Sequence, residues 1–290
     1  MTISGTDNWH SWKKKYGKVY SNPKEELYRR TIWQKNLLYV RNHNEKSDKE
    51  FLLHINQFAD ANMHILNRNS KSHSFESVRK EIKAPKSFDW RSKGVIGPVH
   101  DQGRLFNVKA IVASESVASL HAIQTGQLFD LSAYEIDDCG CGMQLFIKDI
   151  FGCIKRKIGG LCTNVTYHHQ DQICNKDTCT PIAMVNGTGF IPEGDEDAML
   201  EAILKTPLMV AMDASQPSFE LYQAGIYSDT KCSPDHLSHI MQVVGYGEQN
   251  GRKYWICRNS WGKDWGNQGY VWVERGTNMC GIASFAIFPY

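Results

Sequence analysis

The stretch Asp101–Gly126, DQGRLFNVKAIVASESVASLHAIQTG, constrains this chain more than any other. It reads as a tight Gly turn feeding a helix. Leu105, Val108, Ile111, Val112, Val117 and Leu120 recur at roughly helical spacing. Gly126 is a C-terminal stop signal. Many of the residues between are small, so another element can pack closely on this helix. A helix N-terminus behind a Gln-Gly turn offers free N–H groups to a nucleophile or an oxyanion. Val108, the first residue expected to be helical, has no nucleophilic atom, and its β-branch suits a helix start poorly. On its own the stretch is an ordinary core helix. The remainder of the chain changes that reading.

At 290 residues one or two domains are expected, with chain enough for a sizeable core. No run of about 18 apolar residues occurs, so no membrane span and no membrane partner are expected. The first twenty residues are polar, aromatic and basic, which is not a signal-peptide pattern. Nine cysteines point toward an oxidising compartment, and an odd number leaves at least one outside intrachain disulfides. Asn164-Val-Thr166 and Asn186-Gly-Thr188 are glycosylation acceptor patterns. Residues 1–83 hold 16 Lys and Arg against 9 Asp and Glu, a net +7, whereas residues 84–290 hold 17 against 22, a net −5. That asymmetry favours docking of the first part on the second and implies that acid weakens the attraction. The basic residues are scattered, so no nucleic-acid partner is expected. Cys139-Gly-Cys141 lacks His partners at ligand spacing, so neither a metal nor another cofactor is expected.

Taken in order, residues 8–16 form a short helix with Trp9, Trp12 and Tyr16. Pro23 suits the first turn of the next helix. Residues 24–44 form a long amphipathic helix with Tyr28, Ile32, Trp33, Asn36, Leu37 and Val40 on one side, and Glu26 paired with Arg30. His54–Phe58 alternates like a strand. Residues 67–83 read as a polar linker, and Ala84-Pro85 marks a boundary. Residues 84–170 are rich in helix and loop. Residues 185–290 are rich in strand, at Met209–Ala214, Ile240–Gly247, Tyr254–Arg258, Tyr270–Glu274 and Ala283–Phe288.

Three segments carry chemistry. His239 opens a strand, Asn259-Ser260-Trp261-Gly262 ends the next, and Gln102-Gly103 precedes the helix. A His to take a proton, an Asn to fix its tautomer and a Gln to donate to an oxyanion are the supporting cast of a Cys–His peptidase. In these local contexts the chain resembles the papain family of cysteine peptidases, in particular cathepsin L-like proenzymes. Glu26, Arg30, Ile32, Trp33, Asn36, Val40 and Asn44 resemble the family's long proregion motif. Asn56, Phe58 and Asp60 resemble the short motif after it. Ser87–Arg91 is similar to the start of a mature enzyme, Leu131-Ser132 and Asp138-Cys139 to the segment after the central helix, and Cys280–Ala283 to the end.

The active centre departs from the pattern. Where the family reads Gln-Gly-x-Cys-Gly-Ser-Cys-Trp, this chain reads Gln102-Gly103-Arg104-Leu105-Phe106-Asn107-Val108-Lys109. Val108 stands at the position of the nucleophile and Lys109 at that of the Trp. Leu105 replaces a disulfide Cys whose partner position falls on Met143 or Cys141, so that bridge is not expected. Leu145 and Phe146 fall where the family keeps two Gly along the cleft, and their bulk would obstruct substrate. Ser238 replaces the residue, usually Asp, before the His. The resemblance further implies disulfides Cys139–Cys174 and Cys232–Cys280. A Cys162–Cys179 bridge is a further expectation, the pairing of Cys141 and Cys153 is open, and Cys257 reads as a buried thiol.

The resemblance implies an α+β fold. A papain-like two-lobed domain at 84–290, one lobe helical and one β-barrel-like, follows a helical inhibitory-type proregion at 1–83. The expected function is that of a non-catalytic peptidase homologue. It would be monomeric, with a remodelled cleft for peptide or protein segments, cystatin-like inhibitors or its own proregion. Gln102, His239 and Asn259 would be vestigial. By resemblance the location is lysosomal or extracellular. The competing functions are an active cysteine endopeptidase and a structural or storage protein.

Overall fold

The computed structural model describes residues 8–61, 84–103, 107–143, 148–170 and 173–290. The linker expected at 67–83 lies outside them. The proregion begins with α1 (Trp9–Lys15) and α2 (Pro23–Asn44). Asn8 caps α1 and Asn22 caps α2, each side chain accepting a backbone N–H of the first turn. Trp9 and Trp12 stack at 5.3 Å, and Trp33 meets Trp9 edge-on at 5.8 Å. The turn-spaced ion pair lies at Glu25 and Arg29 (3.8 Å) instead of Glu26 and Arg30. Glu26 is taken instead by Lys13 and the Trp9 indole. Tyr28, expected on the packed side, is exposed.

The asparagines of α2 bind the chain that follows it. Asn36 donates to Ala59 O (2.8 Å), and Asn44 exchanges two hydrogen bonds with Leu53. That chain holds β1 at Phe51–Leu53, ahead of the expected 54–58. Residues 54–58 leave the ladder because Asn56 caps the turn, accepting Phe58 N–H (3.0 Å).

The second region adds β2 (Phe88–Asp89), α3 (Val108–Thr125), α4 (Ala133–Asp138), α5 (Ile150–Cys153) and β3 (Thr188–Phe190). It continues with α6 (Glu196–Ile203), β4 (Leu208–Met212), α7 (Pro217–Glu220), β5 (Tyr222–Tyr227), β6 (His239–Gln249), β7 (Arg252–Arg258), β8 (Tyr270–Glu274) and β9 (Ala286–Pro289). One sheet runs β1-β5-β8-β7-β6-β4-β9-β3, with β2 added beside β6. The expected barrel-like lobe is therefore an open sheet. It does not close because its two edges are β1, supplied by the proregion, and β3.

Two cores flank the central strands. Leu208, Val210, Met212, Met241 and Val243 face one core with the tryptophans of the proregion. Met209, Ala211 and Ile240 face the other, with α3, α4 and α5. Strands buried on both faces read as continuous apolar runs, as β4 does. The first core is shared, so the proregion completes the sheet lobe rather than sitting on its surface. Cys139–Cys174, Cys141–Cys153, Cys162–Cys179 and Cys232–Cys280 are bonded, and Cys257 is a buried free thiol.

Candidate functional site

The site gathers at the junction of α3 with the ends of β6 and β7. Twelve of the 18 residues of α3 are buried, which fixes the helix as the spine of its lobe. Asn107 caps its start, accepting Lys109 N–H (3.1 Å) while its Nδ2 donates to Asp137 Oδ1 (2.9 Å) and Gly142 O (3.0 Å). Val108 is the first helical residue, half-buried against the helical-lobe core. Lys109 follows it, also half-buried. Leu105, Leu145 and Phe146 lie outside the described residues.

Gln102, Ser260, Asn259 and His239 form one hydrogen-bonded chain. Gln102 N–H donates to Ser260 O (2.8 Å), and Ser260 Oγ donates back to Gln102 Oε1 (2.5 Å). Ser260 N–H donates to Asn259 Oδ1 (2.8 Å), and the same oxygen lies 2.7 Å from His239 Nε2. An oxygen that accepts Ser260 N–H identifies the amide orientation, so His239 Nε2 is the donor and Nδ1 carries the lone pair. Trp261 packs over the imidazole with ring centroids 4.8 Å apart. Burial pushes the His239 pKa down to about 4, against the opposing hydrogen bond to Asn259. At neutral pH the ring is an oriented, uncharged base. Asn259 Nδ2 is buried without a partner among the described residues. Ser238 takes a structural part, with its N–H on Met212 O and its Oγ accepting Ala214 N–H, both 3.0 Å.

Behind this chain lies a charge cluster that the sequence reading did not single out. Glu115, on the buried face of α3, accepts Arg258 at 2.8 Å and His100 at 2.8 Å, and His100 also reaches Asp130 at 3.3 Å. Arg258 is 1% exposed and binds Gly97 O and Pro98 O as well. Hydrogen bonds to Asp130 and Glu115 hold the His100 pKa up to about 9, so a buried carboxylate faces two cations. The available signal was a Glu inside an apolar helix and an Arg at the end of an apolar strand. The cluster ties α3 to the segment carrying Gln102 and to the strand end carrying Asn259.

No thiol is at hand in the site. Eight of the nine cysteines are in disulfides, and burial raises the pKa of the ninth, Cys257, within β7. Cys141, read as a candidate partner near the cleft, is spent on Cys153. Glu135, Cys162 and Cys179 place ligand-type atoms within 4.8 Å of one another. The two sulfurs are bonded together, however, so they offer no thiolate to a metal.

The proregion reaches the same place. Gln57 Nε2 donates to Trp261 O (2.9 Å), and Phe58 packs edge-on against the Trp261 ring at 5.1 Å.

A two-lobed fold with a docked N-terminal region and an Asn-oriented His at the lobe junction defines a class, and comparison with known proteins names it. The chain belongs to the papain family of cysteine proteases, whose pattern matches residues 84–290. Residues 9–64 match the cathepsin propeptide inhibitor domain. Procathepsin L of Mus musculus is 34% identical over 97% of this chain and 91% of its own length. Digestive cysteine proteinase 2 of Homarus americanus is 32% identical over 99% of this chain and 95% of its own. Among solved structures, digestive procathepsin L 3 from the larval midgut of Tenebrio molitor superimposes with a TM-score of 0.84, at 29% identity over 99% of each chain. The chain is thus a cathepsin L-like homologue with its propeptide in place.

Proposed function

We propose that this chain is a non-catalytic member of its family, binding peptide segments, proteins or cystatin-like inhibitors through the cleft between its lobes. The observation that carries the reading is the want of a nucleophile. Val108 begins the helix six residues after Gln102, where the family motif places its Cys. Val offers no lone pair, and the one free thiol, Cys257, is buried within β7 with burial raising its pKa. The oriented His239–Asn259 pair and Gln102 would then serve structure and binding. The proregion is the first partner, and four disulfides suit a lysosomal or extracellular setting. Asn164 and Asn186, both exposed, would carry glycans there.

The test is turnover of fluorogenic peptides with a reducing agent, together with labelling by a thiolate-alkylating epoxide. Neither is expected above background. Labelling of any Cys that is abolished by His239→Ala would overturn the reading. Val108→Cys alone should restore little activity, because Lys109 still replaces the neighbouring Trp. Titration with a cystatin-like inhibitor separates a binding protein from a structural or storage one.

A further inference from the structure

The run Ser132-Ala-Tyr-Glu135 is a capping box, in which the Glu side chain ordinarily turns back to the backbone N–H of the cap. Here only half of it forms. Ser132 Oγ accepts Glu135 N–H (3.2 Å), but Ser132 N–H donates to Cys162 O (2.9 Å). Glu135 Oε2 is diverted to accept Cys162 N–H (2.8 Å). The start of α4 thus clamps the backbone of Cys162 at both ends, and the clamp brings the Glu135 carboxyl to the Cys162–Cys179 bridge. A carboxyl oxygen and the two sulfurs all lie within 4.8 Å of one another. Glu135 is 0% exposed, and Oε1 is buried with no partner among the described residues. A buried carboxyl with no cation against it is held as the neutral acid, and the oxygen that accepts nothing carries the proton. The two sulfurs differ in access. Cys162 is 0% exposed, whereas Cys179 is partly exposed and follows the exposed stretch 176–178.

We propose that the Cys162–Cys179 bridge is a thiol–disulfide exchange site for small thiols, with Cys179 the sulfur attacked and Glu135 the proton donor to Cys162. An incoming thiolate forms a new S–S bond to Cys179 while the Cys162–Cys179 bond breaks, its electron pair leaving on Cys162. A thiolate there would be buried without a counter-ion. The Glu135 proton passes to it, so Cys162 becomes a thiol and Glu135 a carboxylate that keeps Cys162 N–H. Cys179 is left in a mixed disulfide with the small thiol. A second thiol releases Cys179 and departs as the small disulfide, and the reverse sequence closes the bridge again. Burial pushes the Glu135 pKa up, against the opposing hydrogen bond from Cys162 N–H. The titratable groups nearby are Tyr167, Asp138 and His169, and they satisfy one another: Tyr167 OH and His169 Nδ1 both bind Asp138, at 3.0 and 2.9 Å. Asp137 of α4 is exposed and binds Asn107. The exchange needs neither the cleft nor the missing nucleophile.

Time courses of the full-length chain with reduced glutathione, quenched by alkylation and mapped by peptide mass, test it. Cys139–Cys174 is the internal reference, because it also joins a buried sulfur to an exposed one and is met by the same reagent. The mixed disulfide should form on Cys179 and not on Cys162. The opening rate of Cys162–Cys179 relative to the reference should fall about tenfold between about pH 6 and about pH 9, as Glu135 gives up its proton. Glu135→Gln, which keeps an acceptor for Cys162 N–H, should lower the ratio about tenfold at the acid end and flatten its profile. A mixed disulfide on Cys162, a wild-type ratio that is flat or rises with pH, or a profile unchanged in Glu135→Gln overturns the proposal. If Glu135→Gln fails to fold, the sulfur attacked and the wild-type profile still decide.

Discussion

At the scale of single residues, the site depends on where polar groups find partners. His239 keeps its tautomer because Asn259 Oδ1 is shared with Ser260 N–H. The Glu115–Arg258 pair is tolerated in the core because each member also binds a third group, His100 for one and two carbonyls for the other. His100 sets a pH dependence. Its pKa in the folded chain, about 9, lies above the ordinary 6.5. Its stabilising contribution is therefore complete below pH 6.5 and is lost as pH rises through 9. Thermal unfolding followed from pH 6 to 10 should show Tm falling across that window. His100→Asn should lower Tm near neutrality and remove most of the fall; an unchanged fall would show that other groups carry it.

At the scale of elements, the contact that matters most is β1 on β5. The register sets Phe51 opposite Gly225 and Leu52 opposite Ala224. Gly225 has φ +92°, and a Cβ there would stand 2.7 Å from Glu50 O and 2.8 Å from Phe51 Cα. Only glycine allows both that backbone and that approach. Gly225→Val should cost the strand pairing roughly 1–3 kcal/mol, read as roughly five- to 150-fold faster exchange at Leu52 and at His54, whose N–H donates to Leu221 O, with β6 and β7 unchanged. Protection equal to the wild type would show that the tryptophan cluster, not the strand, holds the proregion. β5 itself was not legible in the sequence. Residues 222–227, YQAGIY, carry a glycine and lack clean alternation, and they become a strand because β8 on one side and β1 on the other supply hydrogen-bond partners.

At the scale of the whole molecule, proregion and sheet lobe share one apolar core, with Trp9, Trp12, Trp33 and Phe51 in the same cluster as Tyr222, Trp255 and Trp265. The proregion is therefore held by packing, and with Val108 at the nucleophile position it should stay uncut unless another peptidase acts. Pure protein incubated near pH 4–5 and run on a denaturing gel should show no time-dependent band near the size of residues 84–290. Such a band, resistant to inhibitors of contaminating enzymes, would overturn the non-catalytic reading. The sequence by itself determined the long helix of the proregion and the strands β6, β7 and β8 to within a few residues, and it names the side chains at 102, 108, 239 and 259. Those follow from local periodicity and from residue types at short spacing. Only the tertiary structure decided that the sheet stays open with a proregion strand on its edge, that Cys141 takes Cys153, and that Glu115 meets Arg258. Each is a contact between residues far apart along the chain or in competition with alternatives of equal chemistry. Pattern cannot rank such pairings, because the partner is chosen by which elements pack against each other and by which buried polar groups would otherwise be left alone.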